Sequence, residues 1–295
     1  MRTRRVAATL ILTTSLALGG GTAASAQAEA DAAVEMGHDS APEATSDADL
    51  DGDIIYQRIL ANRFNSYDQS LEMESGNQSR AIQSTSVRLR YLSFRADSDR
   101  ILSKTIAKYH APQDVRHLGY LIINKVEGVD DQFVYRPSSR RVRRVNLRGE
   151  SVFGTDFSFE DIIPQEFEDG IYQRMPDEKV GDVDCFVIQV TPTKKAESEY
   201  SKMVVYAHKE NYVPVRTLYW DNKNLMAKEM KADPDSIQRF EDEENGQPKI
   251  VWFAKQMRMD HLQLETWTNL VVTELQPNPG LRNRDFSERE LARSH

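Results

Sequence analysis

The stretch Phe133–Asp161, FVYRPSSRRVRRVNLRGESVFGTDFSFED, decides how the rest of the chain is read. Phe133-Val134-Tyr135 has the aromatic and β-branched character of a strand. Pro137 fixes its own φ and biases Arg136 toward extended geometry, so Arg136-Pro137-Ser138-Ser139 predicts a turn. Arg141 to Leu147 predicts the return strand, and Gly149 breaks it. Asp156 and Ser158 are both suited to cap a short helix over Phe159-Glu160-Asp161-Ile162, with Asp161 three residues after Ser158 as in a capping box. The stretch is therefore a basic hairpin that runs into a capped helical turn. It holds no nucleophile, metal ligand or phosphate loop.

The words Tyr135-x-Pro137, Arg140-Arg141-Val142-Arg143-Arg144-Val145 and Phe153-Gly154-Thr155-Asp156-Phe157-Ser158-Phe159-Glu160-Asp161 resemble the LolA-like outer-membrane lipoprotein-sorting proteins. The branch in question is the one associated with transporters of the resistance-nodulation-division (RND/MMPL) type. The likeness spans most of Ile54–His295. It implies a mainly β, α+β fold, an open antiparallel β-barrel or half-barrel with a helical lid, enclosing an apolar cavity for acyl chains. Chain length, the long strands after Tyr200 and the Arg-rich hairpin depart from the best-known lipoprotein carriers, which leaves lipoprotein, free lipid and hopanoid-like cargo open.

Residues 1–26 read as a secretory signal peptide: Arg2, Arg4 and Arg5, then an apolar run from Val6 to Leu18, then Ala24-Ser25-Ala26 as a small-residue cleavage site. The apolar run falls short of the roughly 20 residues that span a bilayer. No cysteine follows it, so the expected product is periplasmic and not lipid-anchored. Residues 27–53 carry nine acids and no Lys or Arg, the composition of a disordered acidic arm. An Asp-rich run from Asp47 invites a calcium-loop reading, but the twelfth place is Arg58 rather than a bidentate Glu. The formal charge of −8 therefore belongs to the arm: without the leader and the arm, 35 basic residues face 37 acidic ones. A nearly neutral, exported body does not fit nucleic acid.

From Ile54 onward 242 residues remain, enough for a single β domain. Ile54, Ile55, Ile59, Leu60 and Phe64 recur at helical spacing, which predicts a helix over about 53–64 with Asp53 as its N-cap. Asn65 to Ser86 is polar, with room for a short strand near 67–73. Alternation then takes over, with Val87, Leu89 and Tyr91 on one face. Further strands are expected at 101–109, 120–126, 179–191, 200–209, 213–221, 225–231, 237–241, 250–264 and 267–274, and 161–176 reads as a crossover. The tail at 286–294 is weakly helical. Short, closely spaced strands of this kind argue a barrel or sandwich rather than a parallel sheet.

Chemistry is sparse. Cys185 is the one cysteine, without a nearby histidine or a reactive-thiol motif, and reads as a small buried hydrophobe. His38, His110, His117, His208, His261 and His295 form no zinc spacing, and no cofactor is implied. No Gly-x-Ser-x-Gly, Walker or dinucleotide pattern occurs, so the reading is not that of an enzyme. The candidates for lining a cavity are Leu89, Tyr91, Ile122, Phe133, Tyr135, Trp220, Trp252 and Trp267. The candidates for an anion or partner site are Arg136, Arg140, Arg141, Arg143 and Arg144, whose guanidinium forks suit phosphate or carboxylate. The resulting expectation is a monomeric carrier of lipid or lipoprotein acyl chains, serving an RND/MMPL-type transporter. Its alternative is a periplasmic sensor or accessory subunit that uses the same fold to bind protein.

Overall fold

A computed structural model describes residue 47 and residues 50–293, except 96, 97, 148, 153 and 245. The predicted leader, most of the acidic arm, Arg148 and Phe153 lie outside the described residues. Thirteen strands form one antiparallel sheet that does not close into a barrel, in the order β6-β5-β4-β3-β2-β1-β15-β14-β11-β10-β9-β8-β7. One half holds β1 (Ser66–Asn77), β2 (Ala81–Ser93), β3 (Ile101–Ala111), β4 (Gly119–Lys125), β5 (Asp131–Arg136) and β6 (Arg141–Arg144). The other holds β7 (Gly170–Val180), β8 (Val183–Pro192), β9 (Tyr200–His208), β10 (Pro214–Asp221) and β11 (Met226–Ala232). Between the halves lie β14 (Gln256–His261) and β15 (Thr266–Pro277), while β12 (Ile237–Glu244) and β13 (Gln247–Ala254) form a separate hairpin.

Consecutive strands within each half are hairpin neighbours, so the two free edges are β6 and β7. A single connector, residues 145–169, has to carry the chain from one edge to the other. It contains α2 (Phe159–Ile162) and crosses the inner face of the sheet, where Phe157 and Phe159 join the main core. α1 (Gly52–Ala61) covers the inner face at the β7–β8 end, with Ile55 fully buried and Tyr56 stacked on Tyr172 at 4.0 Å. Gly52 allows that contact, because a Cβ there would lie 2.7 Å from the β7 backbone at Arg174 and Tyr172. The N-cap of α1 is Asp51, not Asp53: its Oδ1 accepts from the Ile54 N–H at 2.8 Å. α2 is the expected segment with the expected box, Ser158 and Asp161 capping each other.

Three strand expectations needed correction. The polar stretch 65–86 supplies all of β1, a central strand paired with both β2 and β15. The expected strand 179–191 is a hairpin, β7 to β8, reversed at Gly181 with φ +59°. The expected strand 250–264 breaks after Ala254, and its two parts enter different sheets. The outer face of β3–β6 is not bare either. The C-terminal tail with α3 (Glu288–Leu291) lies across it, setting Phe286 and Leu291 against Ile106, Leu121 and Tyr135. No helix among the described residues is long and apolar enough to cross a membrane.

Candidate functional site: a plugged groove

Cross-strand register builds the groove floor. Leu89 faces Ala107, which faces Tyr120; Tyr91 faces Thr105, which faces Ile122. The two smallest inner side chains thus sit at mid-floor on β3, between larger neighbours on β2 and β4. The space above them is a wholly apolar cavity of about 50 Å³, roofed by Phe159 and Ile162 from α2. A second hollow of about 170 Å³ lies on the other side of α2, between Tyr56 and Ile59 of α1 and Met203, Val205 and Tyr219 of the sheet. The two hollows share no lining residue, so α2 divides the inner face and leaves no single continuous slot in this conformation. The expected cavity is instead a groove divided by the chain's own connector.

Polar clamps hold the connector, and the word Thr155-Asp156-Phe157-Ser158-Phe159-Glu160-Asp161 supplies most of them. Asp156 accepts from Thr268 Oγ1 at 2.7 Å and from Thr266 Oγ1 at 2.5 Å, both on β15. Its own N–H donates to Thr268 Oγ1 at 2.9 Å. Glu160 accepts from the Glu199 N–H at 2.9 Å and from the Ser198 hydroxyl. Asp161 accepts from Tyr200 OH at 2.7 Å and pairs with Lys228 Nζ at 2.9 Å; its side chain is 1 % exposed. Burial, followed by the Asp161 charge, pushes the Tyr200 hydroxyl far above the usual phenol range and keeps it a donor. Past α2, Gln165 accepts from Tyr56 OH at 2.8 Å, and Glu166 pairs with Arg95 and Arg63. Carboxylates pin the segment to four separate places while its phenylalanines fill the groove.

The eight proposed lining residues do not gather in one place. Leu89 and Ile122 line the 50 Å³ cavity. Tyr91 shares their face but stacks on Tyr67 at 5.1 Å and accepts from Arg95, beyond the end of the cavity. Phe133 and Tyr135 are on the outer face under the C-terminal tail, because Gln132 and Val134 occupy the inner positions of β5. Trp220 and Trp267 also point outward, since Tyr219 and Thr268 take the inner places; they stack beneath Lys202 and Arg258. Trp252 belongs to the separate hairpin and packs near Val213, Ala232 and Ala254. Leu71 and Met73 line the cavity unexpectedly. Their alternation with Glu72 and Glu74 was a period-2 signal inside a stretch otherwise read as polar.

Arg136, Arg140, Arg141, Arg143 and Arg144 are all exposed on the β5–β6 hairpin. Arg144 pairs with Asp131; the other four make no ion pair among the described residues. No cluster of three or more His, Cys, Asp or Glu among the described residues is arranged to hold a metal. Cys185 is fully buried on β8, and burial pushes its thiol up to about 11. It should therefore resist maleimide at pH 7.5 in the native protein and react within minutes in 6 M guanidinium, as a thiol-labelling time course would show. Rapid native labelling would place this thiol at the surface.

Two family models match the chain: one described as "Uncharacterized protein" over residues 102–293, and DUF1329, a protein of unknown function, over residues 54–147. No curated protein matches. Among solved structures, a Vibrio parahaemolyticus domain described as an outer membrane lipoprotein-sorting protein is 26% identical with a TM-score of 0.70, over 82% of this chain and 98% of that one. A DUF1329 family protein of Desulfovibrio piger is 23% identical with a TM-score of 0.69, over 81% and 96%. A LolA superfamily protein of Nitrosomonas europaea shares the fold at 17% identity and a TM-score of 0.58, over 82% and 99%. The open sheet and these matches give the chain a LolA-like fold, and it belongs to the family of uncharacterized proteins whose model it matches across residues 102–293.

Proposed function

We propose that this chain is a periplasmic carrier for acyl chains of lipids or lipoproteins, whose groove is filled by its own connector until cargo displaces it. One observation carries the reading: an all-apolar cavity on the inner face of an unclosed sheet, roofed by a short segment that polar clamps hold from its flanks. An acyl chain that displaced Phe159 and Ile162 would gain about 0.8 kcal/mol per buried CH₂. That gain has to offset the exposure of Phe159, Ile162 being already 37 % exposed, and the loss of the Asp161 clamp. The likeness to a lipoprotein-sorting domain supports the same cargo class. A transporter of the RND/MMPL type would stand at the donor or acceptor end, and neither role calls for catalysis.

A docking role has its own support. Leu225, Leu262 and Leu264 are exposed on two adjoining hairpin turns, β10–β11 and β14–β15, where an accessory subunit would present a protein-binding tip. Lipid extraction separates the two. Protein exported in a bacterium and purified without detergent should release acyl lipid to organic solvent at about one per chain, read by mass spectrometry. Leu89→Asp, which places a charge in the groove floor, should release none; it should lower the unfolding midpoint while the chain still folds, as a cooperative unfolding transition would show. Lipid-free wild-type protein would overturn the carrier reading and leave the docking role.

A further inference from the structure

We infer that the cargo is an anionic amphiphile, whose phosphate headgroup is held by Arg136, Arg141 and Arg143 at the rim of the groove; this rests on the carrier reading above. Register fixes which face these side chains share. Val134 pairs with Tyr120 on one side and with Arg143 on the other, and Arg136 pairs with Arg141. Val134 and Tyr120 are buried in the inner core, and Tyr120 lines the apolar cavity. Alternation then places Arg136, Arg141 and Arg143 on that same inner side, one to two strands beyond the cavity wall. Arg144 and Val142 go to the outer side, where Arg144 meets Asp131. The Arg136 charge is felt at the Tyr120 hydroxyl, which burial raises to about 12 and Arg136 draws back down.

Edge protection alone does not account for this arrangement. A free edge strand is kept from pairing by charge of either sign, and the opposite edge shows that solution: on β7, Arg174 pairs with Asp177 and Lys179 with Asp184. The β6 edge carries a single sign. Glu150, the nearby carboxylate that also acts on Tyr120, makes no ion pair with these arginines among the described residues. Unpaired guanidinia side by side, next to an apolar slot, fit a ligand that is greasy at one end and doubly oxygenated and anionic at the other. A neutral headgroup would leave the arginines uncompensated, and a zwitterionic one brings a cation of its own that offsets its phosphate and is repelled by the guanidinia.

The test is extraction of lipid from vesicles of phosphatidylglycerol or phosphatidylcholine, with soluble protein–lipid complex quantified by mass spectrometry after the vesicles are sedimented. Wild-type protein should take up the anionic lipid in preference. The triple variant Arg136→Gln, Arg141→Gln, Arg143→Gln should lose that preference by at least roughly tenfold while still loading phosphatidylcholine. A charge-matched control, Lys194→Gln, Lys195→Gln, Lys223→Gln, alters three exposed lysines elsewhere and should keep the preference. Equal uptake of both lipids by wild-type protein, or a preference that survives in the triple variant, overturns the headgroup assignment and leaves the carrier reading intact. Uptake of neither lipid overturns the carrier reading itself. Inorganic phosphate at 1 mM should bind weakly and leave uptake unchanged; calorimetric binding as tight as that of the lipid would make this a free-anion site and overturn the amphiphile.

Discussion

Lys228→Met should cost the fold about 3 kcal/mol, read as a lower urea midpoint at unchanged slope. The variant keeps the Asp161 carboxylate where it is, 1 % exposed and still accepting from Tyr200 OH and the Ser158 N–H, but without its counter-charge. An uncompensated buried charge is the expensive outcome, whereas removing both charges is not. Lys228→Met combined with Asp161→Asn should therefore recover most of the loss, since an amide oxygen can still accept from Tyr200. Such non-additivity is expected of two groups in contact. A single-variant cost below about 1 kcal/mol would mean that solvent screens the pair and that the clamp does not hold the plug. In the carrier reading, the single variant should also load lipid more readily than wild type, because the seated state has been weakened.

Phe159→Ala should lose about 3–5 kcal/mol, the range for emptying a buried aromatic site. Phe159 is 1 % exposed and meets the Tyr120 ring edge-on at 4.8 Å. Its removal joins a new hole to the 50 Å³ cavity beneath it. Apolar pockets of this kind stay dry and accept small apolar guests. Benzene at millimolar concentration should accordingly restore part of the lost stability by mass action, raising the unfolding midpoint of the variant and leaving that of wild type in place. A variant whose midpoint falls by less than 1 kcal/mol, or does not respond to benzene, would show that the surrounding side chains collapse into the space.

The sequence made the class of fold and the capped α2 segment legible because both rest on local rules. Period-2 alternation places strands whatever their neighbours are, and the Ser158–Asp161 box is complete within four residues. What stayed hidden depended on distant partners. Aromatic content alone cannot say which face of a strand looks inward, and Phe133, Tyr135, Trp220 and Trp267 face away from the groove. What decides it is a C-terminal tail more than 150 residues away in the chain, where Phe286 and Leu291 cover the outer side of β5, and the inward positions held by Tyr219 and Thr268. β1 was hidden by its glutamates, which point out beside Leu71 and Met73. The hollow itself comes from Thr105 and Ala107, unremarkable residues whose small size matters only because β2 and β4 flank them with larger ones.

The segment that fills the groove is threaded between the two free margins of the sheet and fastened by covalent bonds at each end. It cannot diffuse away when a guest enters, and its local concentration stays on the order of millimolar or higher whatever the protein concentration. Any occupant therefore faces a permanent internal rival, which lowers its affinity by a constant factor and hastens its departure. In the carrier reading, reseating of the loop offsets part of the cost of releasing cargo to an acceptor.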